Sequence, residues 1–208
     1  MTDRITPDLL LRAYACGLFP MARTRDDPHL HWIDPDLRGI LPLETFHVPR
    51  SLQKTLRRGD MITTADRAFP AVMENCAAPA PGRQETWINP EIVALFTALH
   101  RDGYAHSVET WQDGELVGGL YGLALGGAFF GESMFSRRTD ASKVALCALI
   151  DRLRAGGFVL LDTQFITGHL ARFGAVEIPR AEYHRRLRAA LAVPARWPDD
   201  PWPEHGTG

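Results

Sequence analysis

The fold is decided by residues 105–135, which read AHSVETWQDGELVGGLYGLALGGAFFGESMF. This stretch contains three apolar or alternating runs, at 105–111, 115–125 and 128–135. They are joined by Gln112-Asp113-Gly114 and by Gly126-Gly127, which are typical of tight hairpin connections. The stretch therefore predicts an antiparallel meander of three strands.

Helices are predicted before the meander. Thr6 can cap the free amides of a helix over 7–16, and Gly17 can end it in the left-handed conformation. Further helices are predicted over 49–58, over 65–75 and, capped by Asn89, over 90–100. Between the first two helices we expect an irregular loop over 18–39, rich in Pro, Asp, His and aromatic residues, followed by a strand over 40–48.

After the meander, Thr139-Asp140 is expected to cap a helix over 141–155, followed by a short strand over 158–161 and a last helix over 180–192. This order of elements is similar to that of α+β acyltransferases of the GNAT type. The predicted fold class is therefore α+β, a GNAT-like domain with an antiparallel meander and flanking helices, plus a small N-terminal lobe. We expect the lobe over 1–38, the GNAT-like domain over 39–192 and a Pro/Trp-rich tail over 193–208.

Composition excludes several classes of protein. The 208 residues are 45% apolar and 23% charged, which is typical of a globular chain and not of a disordered one. A net charge of −2 is unlike the strongly basic body of a typical nucleic-acid binder. The three cysteines lie far apart, which argues against a disulfide framework or a cysteine-rich zinc site. With no secretory signal and no run long enough to span a bilayer, we expect a cytoplasmic protein without a membrane partner.

Polar residues in two apolar strands are the candidates for chemistry. In an extended strand Asp162 and Gln164 share a face, so the carboxylate could polarise the amide, whose oxygen could accept a hydrogen bond from an amine. Asp162 could instead cap the following turn. Glu132 lies in an apolar run and needs either a structural ion pair or a ligand contact. If Phe129 and Glu132 serve one pocket, a bulge at Gly131 is required.

Basic residues form two clusters that suit either solvated faces or local contacts with phosphates. One is a stripe on a single helix face (Arg50, Lys54, Arg57 and Arg58), and the other comprises Arg180, Arg185, Arg186 and Arg188. The histidines are scattered, form no metal set and are interpreted as packing or solvent-contacting residues. Residues 136–143 lack a glycine-rich pyrophosphate loop and place Asp140 at a helix start, which disfavours an acyl-CoA substrate.

An ordered set of motifs runs through residues 7–190. The motifs are Gly17-Leu-Phe-Pro20, Thr86-Trp-Ile88, Ala105-His-Ser-Val-Glu109, Glu115-Leu-Val-Gly-Gly-Leu-Tyr-Gly122, Phe130-Gly-Glu-Ser-Met-Phe-Ser136, Asp140-Ala-Ser-Lys143, Asp162-x-Gln164 and Gly174-Ala-x-Glu-Ile-Pro-Arg180. Together they resemble the leucyl/phenylalanyl-tRNA–protein transferase family. The resemblance implies transfer of Leu or Phe, and by pocket chemistry also Met, from aminoacyl-tRNA to proteins with N-terminal Arg or Lys. The product is an N-degron, and no metal or organic cofactor is implied.

The resemblance also implies roles for particular residues. Asp162 and Gln164 are the implied catalytic pair, and Glu132 and Trp87 lie at the substrate end. The walls of the aminoacyl side-chain pocket would be Leu120, Phe129, Leu146, Leu149 and Leu161. The basic stripe would hold tRNA phosphates without reading bases. Two alternatives remain: an acyl-CoA-dependent acyltransferase and a non-catalytic tRNA-binding module. The family often has Trp where this chain has Met21.

Overall fold

The protein is described by a computed structural model that covers residues 5–79 and 84–199. Its strands are β1 (Phe19–Met21), β2 (His31–Ile33), β3 (Leu37–Ile40), β4 (Ile62–Ala65), β5 (Ala105–Gln112), β6 (Glu115–Leu125), β7 (Ala128–Ser136), β8 (Leu160–Gln164) and β9 (Val176–Pro179). Its helices are α1 (Pro7–Ala15), α2 (Arg50–Arg58), α3 (Phe69–Ala77), α4 (Pro90–Arg101), α5 (Ala141–Ala155), α6 (Gly168–Ala171) and α7 (Arg180–Leu191). No helix within the described ranges is long and apolar enough to cross a membrane.

One large sheet has the strand order β4-β5-β6-β7-β8-β3-β9. The predicted meander is confirmed as β5, β6 and β7, and the α+β class is confirmed with it. The pairing of β7 with β8 is parallel, whereas the other adjacent pairs are antiparallel. Beyond Phe130 and Asp162 the strands β7 and β8 no longer pair, so a gap opens between them.

Helices cover both faces of the sheet and divide the core into two clusters. Residues of α1, α3, α4 and α7 pack on one face, and residues of α2 and α5 pack on the other. Close approach of α5 depends on Gly118, since a Cβ there would lie 2.6 Å from the Cβ of Ala141. The buried apolar side chains of both clusters supply the main stabilisation of the fold.

Several sequence predictions about the helices are confirmed. Thr6 Oγ1 accepts a hydrogen bond from the Leu9 amide, and Asn89 Oδ1 accepts one from the Ile92 amide, so α1 and α4 begin as predicted. Gly17 has a φ of 87° just after α1. The helices α2, α5 and α7 also lie where the sequence predicts them.

Other predictions are wrong. The expected loop over 18–39 contains the hairpin of β1 with β2 and most of β3. The strand predicted over 40–48 ends at Ile40, because Pro42 lacks an amide for a strand ladder. The helix predicted over 65–75 starts only at Phe69, since β4 occupies 62–65 and Asp66 turns the chain with a φ of 58°. The strand predicted over 158–161 runs instead from Leu160 to Gln164.

Asp140 also differs from its predicted role. It precedes α5 with a φ of 69°, and its side chain makes no capping hydrogen bond. Its carboxylate instead accepts hydrogen bonds from Lys143 Nζ (2.6 Å) and Thr55 Oγ1 (2.9 Å). This pairing ties α2 to the start of α5.

Candidate active site

A cavity of about 250 Å³ lies at the gap between β7 and β8. We call it the leucine cavity, because Leu120, Leu146, Leu149, Leu161 and Leu170 line it together with Tyr121, Gly131, Glu132, Ser133, Met134, Thr163, Phe165, Thr167 and His169. Four of the predicted pocket walls, Leu120, Leu146, Leu149 and Leu161, are therefore among the lining residues. The size suits one amino-acid side chain better than a large ligand.

Phe129 was expected in the same wall and lies elsewhere. Its ring stacks on Trp197, with centroids 5.5 Å apart, and packs edge-on against Phe158. These contacts fill the space beside Gly122, where a Cβ would lie 2.4 Å from the Phe129 ring. Phe129 is thus a core residue that packs against Trp197, and it does not line the leucine cavity.

A bulge in β7 brings Glu132 to the leucine cavity. Gly131 pairs with Gly122, and Ser133 pairs with Tyr121, so Glu132 is an extra residue without a partner in the β6 register. The bulge lies beside the predicted Gly131. Because it breaks the alternation of the strand, a carboxyl group enters a site that is otherwise mostly apolar.

The two carboxyl oxygens of Glu132 have different surroundings. Oε1 accepts hydrogen bonds from Tyr14 Oη (2.7 Å) and from Gln164 Nε2 (3.0 Å). Oε2 is buried and has no hydrogen-bond partner among the described residues. Burial raises the pKa of Glu132 to about 8, and the nearby charge of Asp162 adds to this, against the two hydrogen bonds and the charge of Arg38.

The pKa fixes the state of Glu132 at neutral pH. With a pKa of about 8 the carboxyl group is mostly protonated there. Since Oε1 already accepts hydrogen bonds from two donors, we infer that the proton is carried by Oε2. Neutral Glu132 therefore presents an O–H donor at the leucine cavity.

Asp162 is held by a buried network. Arg38 Nε lies 2.9 Å from Oδ1 and Arg38 Nη2 lies 2.6 Å from Oδ2, in a two-pronged ion pair. Tyr183 Oη donates to Oδ2 at 2.7 Å. The Gln164 amide donates to Oδ1 at 2.8 Å, so the alternative interpretation of Asp162 as a turn cap is present in the structure. These contacts stabilise the negative charge of Asp162, which would be costly to bury without partners.

The predicted contact between the Asp162 carboxylate and the Gln164 side chain is wrong. Gln164 has a φ of 60°, so the chain is not extended there, and the rule that residues two apart share one face of a strand does not apply. The Gln164 side-chain amide instead reaches Glu132. Asp162 fixes the backbone of Gln164, and Gln164 in turn fixes Glu132.

Arg38 is itself held firmly. Its guanidinium lies over the rings of Phe19 and Tyr183, 4.4 Å from each centroid. Its Nη1 donates to the carbonyl of Gly17 at 3.0 Å. The stacking and the donors together keep the partner of Asp162 in one orientation.

Comparison with known protein families identifies the family of this chain. The family model described as leucyl/phenylalanyl-tRNA protein transferase matches residues 40–188, and the model of the N-terminal domain of the same family matches residues 3–36. The chain belongs to this family.

Relatives in the family are similar over most of their length. The leucyl/phenylalanyl-tRNA–protein transferase of Paramagnetospirillum magneticum is 65% identical, with 92% of this chain and 91% of that one covered. The protein of the same name from Rhodospirillum rubrum is 64% identical, with 91% and 89% covered. Among solved structures, the C-terminal domain of a protein assigned as a lysylphosphatidylglycerol synthetase from Agrobacterium fabrum is 13% identical. It aligns over 94% of this chain and 73% of that one, with a TM-score of 0.50, and this likeness concerns the fold alone.

The basic stripe expected to contact tRNA in this family lies on α2. All four of its side chains, Arg50, Lys54, Arg57 and Arg58, are exposed, while Leu52 and Thr55 bury the opposite face. Trp87 is half-buried, packs against the core cluster that includes α3 and α4, and is not among the residues that line the leucine cavity.

The second basic cluster is largely neutralised by acidic neighbours. Arg180 pairs with Asp36 at 2.6 Å and with Asp34 at 3.5 Å. Arg185 and Arg186 both pair with Glu182. This cluster is therefore a weaker candidate for phosphate contacts than the stripe on α2.

Sequence reasoning missed three residues of the hydrogen-bond network around Glu132 and Asp162, namely Tyr14, Arg38 and Tyr183, and it did not place His169 at the leucine cavity. A usable signal existed for Arg38, which interrupts the apolar residues Leu37, Gly39 and Ile40 much as Glu132 interrupts β7. A charged residue in such a run requires a buried partner. The two tyrosines carry no comparable signal, because each lies on the buried face of an ordinary amphipathic helix.

Proposed function

We propose that this chain is an aminoacyltransferase that moves Leu or Phe, and also Met, from aminoacyl-tRNA to the N-terminal Arg or Lys of proteins. The product carries an N-degron, and the reaction takes place in the cytoplasm, where charged tRNA is made. The observation that carries the proposal is the leucine cavity. In a chain of this family, the cavity has mostly apolar walls and one carboxyl group, that of Glu132, which is neutral at pH 7.

Selectivity for the aminoacyl group follows from the walls of the leucine cavity. Leucine side chains favour an apolar Leu, Phe or Met and offer nothing to a polar side chain, which would lose its water without compensation. One methylene more or less changes binding by only about 1–3 kcal/mol in such a pocket. Met is therefore expected as a third substrate, through its length and its adaptable thioether.

Glu132 is proposed to act on the ester. The aminoacyl ester is already activated, so the main task is to position the amine against the ester carbonyl. When the carbon–nitrogen bond forms and the carbon–oxygen bond breaks, the departing ribose oxygen needs a proton. The Oε2 proton of neutral Glu132 is the donor that we assign to this role.

Asp162 and Gln164 are proposed to support that step. The network of Arg38, Tyr183 and Asp162 holds the backbone of Gln164, whose Nε2 donates to Glu132 Oε1. The amide oxygen of Gln164 remains as an acceptor, and we propose that it accepts a hydrogen bond from the incoming amine. Asp162 is on this view a positioning residue, because its oxygens are occupied by protein donors.

The tRNA is proposed to lie along α2. Exposed Arg50, Lys54, Arg57 and Arg58 can contact phosphates without reading the bases, and Trp87 is retained as a contact for the terminal adenosine. Aminoacyl-CoA or acyl-CoA is not the preferred donor. The Ala141, Ser142 and Lys143 amides at the start of α5 already donate to Arg138, Ser136 and Asp140, so they are not available to a pyrophosphate.

The test is transfer of labelled Leu from Leu-tRNA to a peptide that begins with Arg, beside a peptide that begins with Ala. Wild type should label only the Arg peptide, and the variant E132Q should lose most of the rate because Gln supplies no transferable proton. A triple change on α2, R50A/K54A/R57A, should weaken tRNA binding and reduce its salt dependence. Absence of transfer from Leu-, Phe- and Met-tRNA by folded wild type would refute the proposed reaction, and tRNA binding without transfer would then favour a non-catalytic module.

A further inference from the structure

Three buried side-chain atoms without a hydrogen-bond partner in the described ranges belong to residues that line the leucine cavity. They are Glu132 Oε2, Thr163 Oγ1 and His169 Nε2. Buried polar atoms in folded proteins are nearly always paired, because leaving one unpaired costs about 1–3 kcal/mol. Their concentration around one cavity indicates that a bound polar molecule completes them. Glu132 already has a proposed role, whereas His169 has none.

His169 lies in α6, a short helix that starts with a hydrogen bond from the Leu170 amide to Thr167 Oγ1. Its ring packs edge-on against Phe173, with centroids 5.3 Å apart. The ring is therefore supported on one side by the core, and the residue lines the leucine cavity. Packing alone gives no reason for Nε2 to be buried without a hydrogen-bond partner among the described residues.

The surroundings keep His169 neutral. Burial lowers its pKa most, the positive charges of Lys143 on α5 and Arg172 beside α6 lower it further, and Asp140 opposes them. Glu132 is affected in the opposite direction, with Tyr14, Gln164, Asp162 and Arg38 around it. One cavity thus contains a neutral acid and a neutral imidazole. Groups whose pKa values are moved apart in this way are typical of a general acid and a general base.

We propose that His169 is the general base of the transfer reaction, and that its Nε2 takes the proton from the N-terminal amine of the acceptor as that amine attacks the ester. This inference rests on the proposed function, because it assigns a base to the same site. The amine nitrogen forms a bond to the ester carbon, and its proton passes to His169. The bond from that carbon to the ribose oxygen breaks, and the oxygen takes the proton of Glu132.

The protons balance over one turnover. The acceptor amine loses one proton and the ribose hydroxyl gains one, so the reaction consumes and releases none. His169 ends protonated and Glu132 ends ionised, and exchange with water restores both. A base is needed because the amine that attacks becomes strongly acidic once its new bond forms, and the Gln164 amide cannot accept that proton.

The experiment compares H169Q and H169A with wild type and with H29Q, using the Leu-tRNA and Arg-peptide assay. His29 is a matched control, since its side chain is 73% exposed and it is not among the residues that line the leucine cavity. We expect H169Q to lose roughly 10²-fold or more in kcat with little change in KM for either substrate. H29Q should behave as wild type.

Chemical rescue distinguishes a base from a structural residue. Imidazole added to H169A should restore part of the lost rate, with a dependence on pH that follows the added imidazole. Thermal unfolding of both variants checks that they are folded. Full activity in H169Q, or loss of activity in folded H169A without rescue by imidazole, would overturn the assignment of His169. If wild type itself transfers nothing, the proposed function fails instead, so the two failures are distinguishable.

Discussion

Replacing Glu132 by Gln should change how the free energy of unfolding depends on pH. The unfolded chain releases the Glu132 proton near its usual pKa of 4.5, whereas the folded protein retains it to about 8. Between these values the folded state binds more protons than the unfolded state, so the free energy of unfolding falls as pH rises. The slope is about 1.4 kcal/mol per pH unit, and the total is about 5 kcal/mol.

The side chain introduced in E132Q keeps the shape of the carboxyl group without its proton equilibrium. Its amide oxygen can still accept from Tyr14 and Gln164, which preserves both hydrogen bonds of Oε1. We therefore expect the wild type to lose stability relative to E132Q from about pH 5 to about pH 8, and to stay level above that range. The difference between the two proteins isolates this group from the other residues that titrate.

Urea unfolding followed by tryptophan fluorescence, at several pH values from about 5 to about 9, measures the difference. E177Q is the control for removing one carboxylate, because Glu177 is exposed on β9 and stays hydrated in the folded protein. The free energy of unfolding of E177Q should depend on pH in the same way as that of wild type. A constant difference between wild type and E132Q across the range would refute a neutral Glu132, and with it the assignment of its proton to the ribose oxygen.

Three further predictions concern the surroundings of the site, and urea unfolding measures each of them. R38M should destabilise the protein by roughly 3–5 kcal/mol, because it leaves Asp162 buried without its cation. Y183F removes only one hydrogen bond to Asp162 and should cost about 1–2 kcal/mol. Equal effects would show that the ion pair stabilises Asp162 no more than the tyrosine hydrogen bond does. G122A should destabilise by roughly 1–3 kcal/mol or more, because the new Cβ would lie 2.3 Å from the Phe130 carbonyl oxygen, while G131A meets no atom closer than 3.5 Å and should be nearly neutral; the reverse order would show that the packing argument is wrong. W197A should cost about 1–3 kcal/mol through loss of its stacking on Phe129 and His106, and wild-type stability would mean that this C-terminal contact contributes nothing.

The central part of the fold could be predicted because its signals are local. The meander has turn residues at both connections, and α1 and α4 have capping residues that make the expected hydrogen bonds. The strands β3 and β9 have no such signal. Each strand is four residues long. β3 pairs with β9 on one side and with β8 on the other, and both partners are distant from β3 in the sequence. Pairings of this kind depend on tertiary structure, which a local pattern does not encode.

The candidate site was predictable only in part, for a related reason. Glu132, Gln164 and the four leucines could be found because polar residues in apolar strands and the family motifs point to them. The contacts among these side chains could not be predicted, because the bulge in β7 and the positive φ of Gln164 redirect the side chains of Glu132 and Gln164. Strict alternation of side chains along ideal strands brings Asp162 to Gln164, whereas the actual backbone brings Glu132 there instead.

The N-terminal segment, residues 3–36, contributes side chains and a backbone carbonyl to the site. Tyr14 at the end of α1 donates to Glu132, the carbonyl of Gly17 accepts from Arg38, and the ring of Phe19 lies against the same guanidinium. Tyr14, Gly17 and Phe19 fall within 3–36, whereas Glu132 falls within 40–188. The donor from Tyr14 occupies Oε1 and thereby directs the carboxyl proton to Oε2 at the leucine cavity. In the proposed mechanism, the position of the catalytic proton is therefore set by contacts between the two matched regions.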